Sequence, residues 1–219
     1  MSSAAKVKVT ALEAFRLSLG MLRKPSVTLW RLKYEGKGRL TAALVIVAAA
    51  IIMRIAWVYG TGFIFRTFMY RQTEYVRILD EVWTYLIIWI TWILANWGVA
   101  TLLDGEGTLR DVAIASAHAC MPLIVLTPLM LILSNILTLQ EAGMYHLVSQ
   151  GAMLWTVYLL FLQIRTTHDY STGKAIWIMV MTAIGMLLLW VLAILLYLMV
   201  GQIWVFVHNI LQEVNLRRF

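Results

Sequence analysis

The sequence predicts an all-α protein, a polytopic membrane helix bundle of five transmembrane helices preceded by an amphipathic interfacial helix. Three observations lead there. Of the 219 residues, 62% are hydrophobic and 13% charged, against about 45–50% and about 25% in soluble domains. Mean hydropathy is +0.81. The charges also cluster between long apolar runs, too few and too local to give a soluble core its polar skin. A bilayer removes that need, because lipid can face an apolar exterior.

The first element is a basic arm. Lys6, Lys8, Arg16, Arg23, Lys24, Arg31, Lys33, Lys37 and Arg39 precede the first apolar run and make up half of the 18 bases. Beside a span, such an arm reads as a positive-inside signal and an attraction to anionic lipid headgroups, rather than as a nucleic-acid surface. Thr10 and Glu13 have the spacing of a capping box. Leu12, Phe15, Leu19 and Leu22 follow at helical spacing on one face, and Pro25 is expected to stop the helix. A basic amphipathic helix of this kind is expected to lie in the membrane interface, with Trp30 and Tyr34 as anchors. No cleavable signal is expected, since the first apolar run starts late and runs long. Residues 1–39 are thus read as a cytoplasmic arm and 40–219 as the five-span membrane domain.

The spans follow from hydropathy. They are expected at about Leu40–Ile64, Val82–Leu103, Val112–Leu137, Met144–Ile164 and Ala175–Val200. Residues 66–80 and 165–173 read as polar connections, and Asp104–Thr108 as a turn. Pro122 and Pro128 are expected to kink the third span. Residues 202–219 keep apolar residues at helical spacing, and either extend the fifth helix or lie on the surface. With the N-terminus in the cytoplasm, twelve bases fall on the inner side and five on the outer. That favours an outer C-terminus.

Polar groups at membrane depth are costly and therefore informative. Arg54, Asn96, His118 and Asn135 are the candidate intramembrane polar site. Arg54 forms an ion pair or binds an anionic headgroup or substrate; alternatively it snorkels to the outer interface. Asn96, Asn135 and Gln163 need hydrogen-bond partners on other helices. His118 lies one turn before Pro122, where its ring is expected to bond a carbonyl freed by the proline; the alternative is that it relays a proton. The four histidines and the single Cys120 form no ligand pattern, so no metal is expected. Phosphate-loop, nucleophile-elbow and zinc-protease motifs are missing too, so neither a cofactor nor a catalytic centre is expected.

Ordered motifs between Arg54 and Lys174 resemble a known family. They are the glycine-rich end of the first span, Gly60–Thr61–Gly62–Phe63–Ile64, and Gly105, Glu106, Gly107, Thr108 and Leu109 before the third. His118 to Pro122 follows, then Asn135 to Glu141, and then His168, Asp169, Tyr170 and Ser171. Together they are similar to the Yip (Ypt-interacting protein) domain family, in its bacterial branch. The resemblance implies five spans with a cytosolic N-terminus. It implies no reaction, since the family has no established catalytic residues. Its eukaryotic members are linked to Rab-type GTPases, a partner that does not carry over to this chain. The expected function is non-catalytic, the binding of other membrane proteins or lipids. The alternative is a small-solute or lipid transporter, or a transporter subunit, with the four polar residues lining one path.

Overall fold

A computed structural model describes residues 11–69 and 77–216. Among these, every regular element is a helix. Two short helices, α1 (Ala11–Arg23) and α2 (Pro25–Tyr34), form the arm. The bundle is α3 (Leu40–Gly60), α4 (Phe63–Met69), α5 (Ile78–Leu102), α6 (Leu109–Ala119), α7 (Met121–Ile136), α8 (Ala142–His168) and α9 (Thr172–Leu216). Five stretches are long and apolar enough to cross a membrane: α3, α5, α6 with α7, α8 with the 3₁₀ turn before it, and α9. The end of the bundle next to the arm is here the arm side, and the opposite end the far side.

Pro25 ends α1 but also starts α2, standing in its first turn where no N–H is needed. Leu17 and Met21 of α1 and Leu29 and Leu32 of α2 share a buried cluster with Ala43, Ile46, Ile114 and Leu159. Leu19 is exposed, so the face turned into the bundle is rotated from the predicted stripe. Thr10 and the side chains of Leu12, Glu13 and Phe15 lie outside the described residues. A Lys33–Glu106 ion pair (3.6 Å) ties α2 to the turn between α5 and α6.

The first span is shorter than hydropathy suggests. It ends at Gly60, and Thr61 closes it by donating its N–H to the Trp57 carbonyl (3.1 Å). The chain then turns where Gly62 lies against α7. A Cβ at that position would overlap the Ser134 carbonyl, and the Gly62 N–H donates to Ser134 Oγ (3.1 Å). The apolar Phe63–Phe65 belongs to α4, with Phe65 buried against Met130 and Tyr145. Part of the connection expected at 66–80, residues 70–76, lies outside the described residues.

The third span does not merely kink at proline. It breaks at Cys120 into two helices, and Pro122 sits in the first turn of the second. Pro128 is accommodated inside α7. A full capping box, Thr108 with Asp111, starts α6.

The fifth helix is continuous for 45 residues, about 67 Å at ~1.5 Å per residue. Residues 202–216 therefore extend it, while Phe219 and the two arginines before it lie outside the described residues. Its first half packs on α5 through small residues, Gly185 approaching Ala95 and Val99. From Trp190 to Glu213 every residue is exposed.

Candidate functional site

The candidate polar residues occupy four separate places. Asn96 is the most deeply engaged. It is fully buried on α5, facing α8 and α9. Its Nδ2 donates to Thr182 Oγ1 of α9 (3.2 Å), and its Oδ1 accepts from Gln163 Nε2 of α8 (3.3 Å). The ring Nε2 of His168 lies 3.3 Å from the same Oδ1. The Gly107 N–H donates to His168 Nδ1 (3.3 Å). Hence the imidazole proton belongs on Nε2, where it reaches Asn96. One amide thus joins three spans and, through His168, the Gly105–Gly107 turn.

The surrounding motif residues complete this lock. Tyr170 donates its hydroxyl to the Ala100 and Leu103 carbonyls (3.2 and 3.1 Å) at the end of α5. The Ala100 carbonyl also accepts the Leu103 and Gly105 N–H groups (3.0 and 2.8 Å), so the Leu103 carbonyl is the one that needs the hydroxyl. Burial, and secondarily the Asp104 carboxylate, push the Tyr170 phenol above its ordinary value, so it stays a donor. The His168 and Tyr170 rings stack at 5.6 Å, and Lys174 Nζ sits 4.6 Å from the Tyr170 ring. Both glycines are needed for the approach. A Cβ on Gly105 would stand 2.6 Å from the Tyr170 hydroxyl, and one on Gly107 would stand 2.8 Å from the Thr167 carbonyl. Asp169, at φ 55°, ends α8 in the left-handed conformation and turns Tyr170 back under α5. Ser171 receives the Lys174 N–H at the start of α9 (3.4 Å). The segment 165–173, expected as a polar connection, therefore turns Thr167, His168 and Tyr170 into the core, while Arg165, Asp169 and residues 171–173 stay exposed.

Arg54 lies on the far side of the lock. Its Nε donates to Glu81 Oε2 of α5 (2.8 Å), and its guanidinium carbon stands 4.7 Å from the Trp57 ring centre. Since α3 ends at Gly60, Arg54 is about 9 Å from the helix end. The residue crosses to a neighbouring helix and pairs there.

His118 is buried and bonds the Ile114 carbonyl (2.8 Å) on its own helix. That corrects the expectation above, because the carbonyl freed by Pro122 is that of His118 itself. The i−4 carbonyl of a continuous turn was simply nearer. Asn135 is exposed, donating to the Gly60 and Leu131 carbonyls (3.0 and 2.8 Å). It ties the end of α7 to the end of α3. Pro122 is buried in α7's first turn, and Glu141 caps the 3₁₀ turn by accepting from Thr138.

One cavity of about 570 Å³ opens between α3, α5, α7 and α8. Of the four candidates it includes Arg54, while Asn96, His118 and Asn135 are not in its walls. Glu81, Tyr85 and Trp92 line it and were not singled out from sequence. Glu81 is the acid at the start of the second span, and the hairpin brings it level with Arg54. Tyr85 and Trp92 carry no signal in one sequence that separates them from other interfacial aromatics.

No curated protein and no solved structure matches the chain. The match that exists is to a family. Five apolar helices and a Yip1 domain model matching residues 19–195 make this a multi-pass membrane protein of the Yip1 domain family.

Proposed function

We propose that the chain is a non-catalytic Yip-type membrane protein that acts by binding other membrane proteins. The observation that carries this reading is the dispersal of its intramembrane polar groups. Arg54, Asn96, His118 and Asn135 are each engaged by separate structural partners. A solute path needs such groups around a common wet passage. Here Arg54, Asn96 and Asn135 hold helices in register instead, and His118 bonds its own helix.

The surface available for binding is α9. Asn96 faces Thr182 and Thr91 faces Trp190, and this antiparallel register places about Gln202 level with the start of α5. The last turns therefore project past the far side, still apolar at Ile203, Phe206, Val207, Ile210 and Leu211. A hydrocarbon core is about 30 Å thick, less than half the length of this helix. Apolar surface beyond the lipid is stabilised by a protein partner or the membrane interface. The motif residues from Asp104 to Lys174 support membership of the bacterial branch. The concentration of bases in the arm supports a cytoplasmic N-terminus in the cell membrane and contact with anionic headgroups there.

The test is photocrosslinking from single positions along α9 in intact cells. Adducts of one defined mass at Ile203, Phe206 and Ile210, with none at Thr182, support the reading. Adducts to lipid alone at every position overturn it.

A further inference from the structure

We propose that the cavity between α3, α5, α7 and α8 is a binding site for one glycerophospholipid, its phosphate on Arg54 and an acyl chain inside. The inference goes beyond the partner-binding role above and does not depend on it.

Three features point to that ligand. The first is shape. The cavity volume, about 570 Å³, lies within the roughly 300–1,000 Å³ of small-molecule sites. Helices α5 and α8 are pinned together at the arm side through Asn96 and Gln163. Farther out they part, and Ile88 on α5 and Met153 and Val157 on α8 are exposed cavity residues. The opening therefore faces sideways into the hydrocarbon, where a chain can enter without crossing water.

The second is charge at the mouth. Only the Nε of Arg54 is used by Glu81. Its two terminal amino groups make no hydrogen bond among the described residues. The Arg54 side chain is 39% exposed and that of Glu81 15%, so the cation is the more accessible half of the pair. A guanidinium fork fits two phosphate oxygens, and in a low-dielectric setting such bonds are strong.

The third is a buried donor. The Tyr85 hydroxyl is buried in a site lined mostly by apolar groups, with the weakly accepting Cys120 thiol beside it and no oxygen or nitrogen acceptor among the described residues. Tyr85 lies one turn, about 6 Å, deeper than Glu81. A glycerophospholipid presents phosphate, then ester carbonyls, then chain, in the order that Arg54, Tyr85 and the apolar wall would meet them. The Trp92 N–H, also without an acceptor among the described residues, lies about 16 Å in and takes no part. A free phosphate would satisfy Arg54 alone and leave the apolar wall empty.

The experiment is native mass spectrometry of the full chain purified in a phosphate-free detergent. Lipid is stripped, and then phosphatidylglycerol or, separately, diacylglycerol is offered back in micelles of the same detergent. The expected result is one phosphatidylglycerol per chain, retained when surface lipid is lost, with excess inorganic phosphate failing to displace it. Diacylglycerol should bind at least tenfold less. Arg54→Gln with Glu81→Gln, which removes both charges together, should lower occupancy about tenfold to a hundredfold. Val157→Phe, a second variant at the exposed rim that leaves the ion pair untouched, should also lower it at least tenfold. Asn135→Leu, outside the cavity, should bind as the parent does. Equal retention by Val157→Phe, diacylglycerol bound as tightly, displacement by inorganic phosphate, or no retained lipid would each overturn the proposal. Loss of the lipid with crosslinked partners intact defeats this inference alone. The reverse defeats the partner-binding role alone.

Discussion

Replacing Asn96 by leucine tests the lock between α5, α8 and α9 most sharply. The amide is fully buried and makes three hydrogen bonds, to Thr182, Gln163 and His168. Leucine keeps the heavy-atom count and branching of asparagine, so the loss is polar rather than a cavity. Thr182 keeps a bond, because its hydroxyl already donates to the Ile178 carbonyl (2.8 Å). Gln163 loses its amide's partner, and its Oε1 already has none among the described residues. His168 Nε2–H is also left without an acceptor. Two stranded buried donors cost about 1–3 kcal/mol each. Interhelical bonds in membranes run lower, about 0.6–2 kcal/mol, because polar groups in the unfolded chain also find partners. The expected loss is therefore about 2–4 kcal/mol. Asn135→Leu is the internal comparison. Its bonds lie at an exposed position, and its loss should be under about 1 kcal/mol. The assay is reversible unfolding by SDS in mixed micelles, read by helicity. An Asn96→Leu protein within about 0.5 kcal/mol of the parent would refute the reasoning. So would an Asn135→Leu protein equally destabilised.

Other outcomes follow from the same contacts. Gly107→Ala places a methyl group 2.7–2.9 Å from Thr167 and His168 atoms, and overpacking of this kind costs about 1–3 kcal/mol; the same titration reads it, and an unchanged midpoint contradicts the close approach. Tyr170→Phe takes the hydroxyl from the Leu103 carbonyl, while the Ala100 carbonyl keeps the Leu103 and Gly105 N–H groups, at a cost of about 1 kcal/mol. The phenol's raised pKa has a definite sign. Its contribution is complete below the ordinary tyrosine value, about 10, and is lost as pH rises through the higher folded value. Stability that falls between pH 6 and 9 in the parent but not in Tyr170→Phe would contradict this. Arg54→Leu strands the Glu81 carboxylate at a partly covered site, so a loss of about 1–3 kcal/mol and lower yield are expected. A variant that folds as the parent does but loses uptake of one solute would favour transport.

Hydropathy located the five spans because a bilayer imposes length and apolarity on each crossing, and little else competes. Where tertiary packing decided the outcome, the sequence misled. Phe63–Ile64 read as the end of a span, yet Gly62 turns the chain and Phe65 enters a pocket beside Tyr145. Arg165–Gly173 read as a loop because it is polar. His168 and Tyr170 are polar for the opposite reason, since each answers a buried group on α5. Asn96 and Gln163 were recognisable as groups in need of partners. Thr182 was not, because a threonine within a span commonly bonds its own helix. The Arg54–Glu81 pair needed the hairpin to bring residues 27 apart together. One sequence holds no trace of that register.

The central claim is that this chain acts by engaging another membrane protein, and co-purification tests it directly. The full chain is captured from gently solubilised membranes, and everything retained is weighed by mass spectrometry. The account predicts one other membrane protein in fixed stoichiometry, lost when Ile203, Phe206 and Ile210 are together replaced by serine. Recovery of the chain alone from cells where it is abundant, with α9 crosslinking only to lipid, would contradict it.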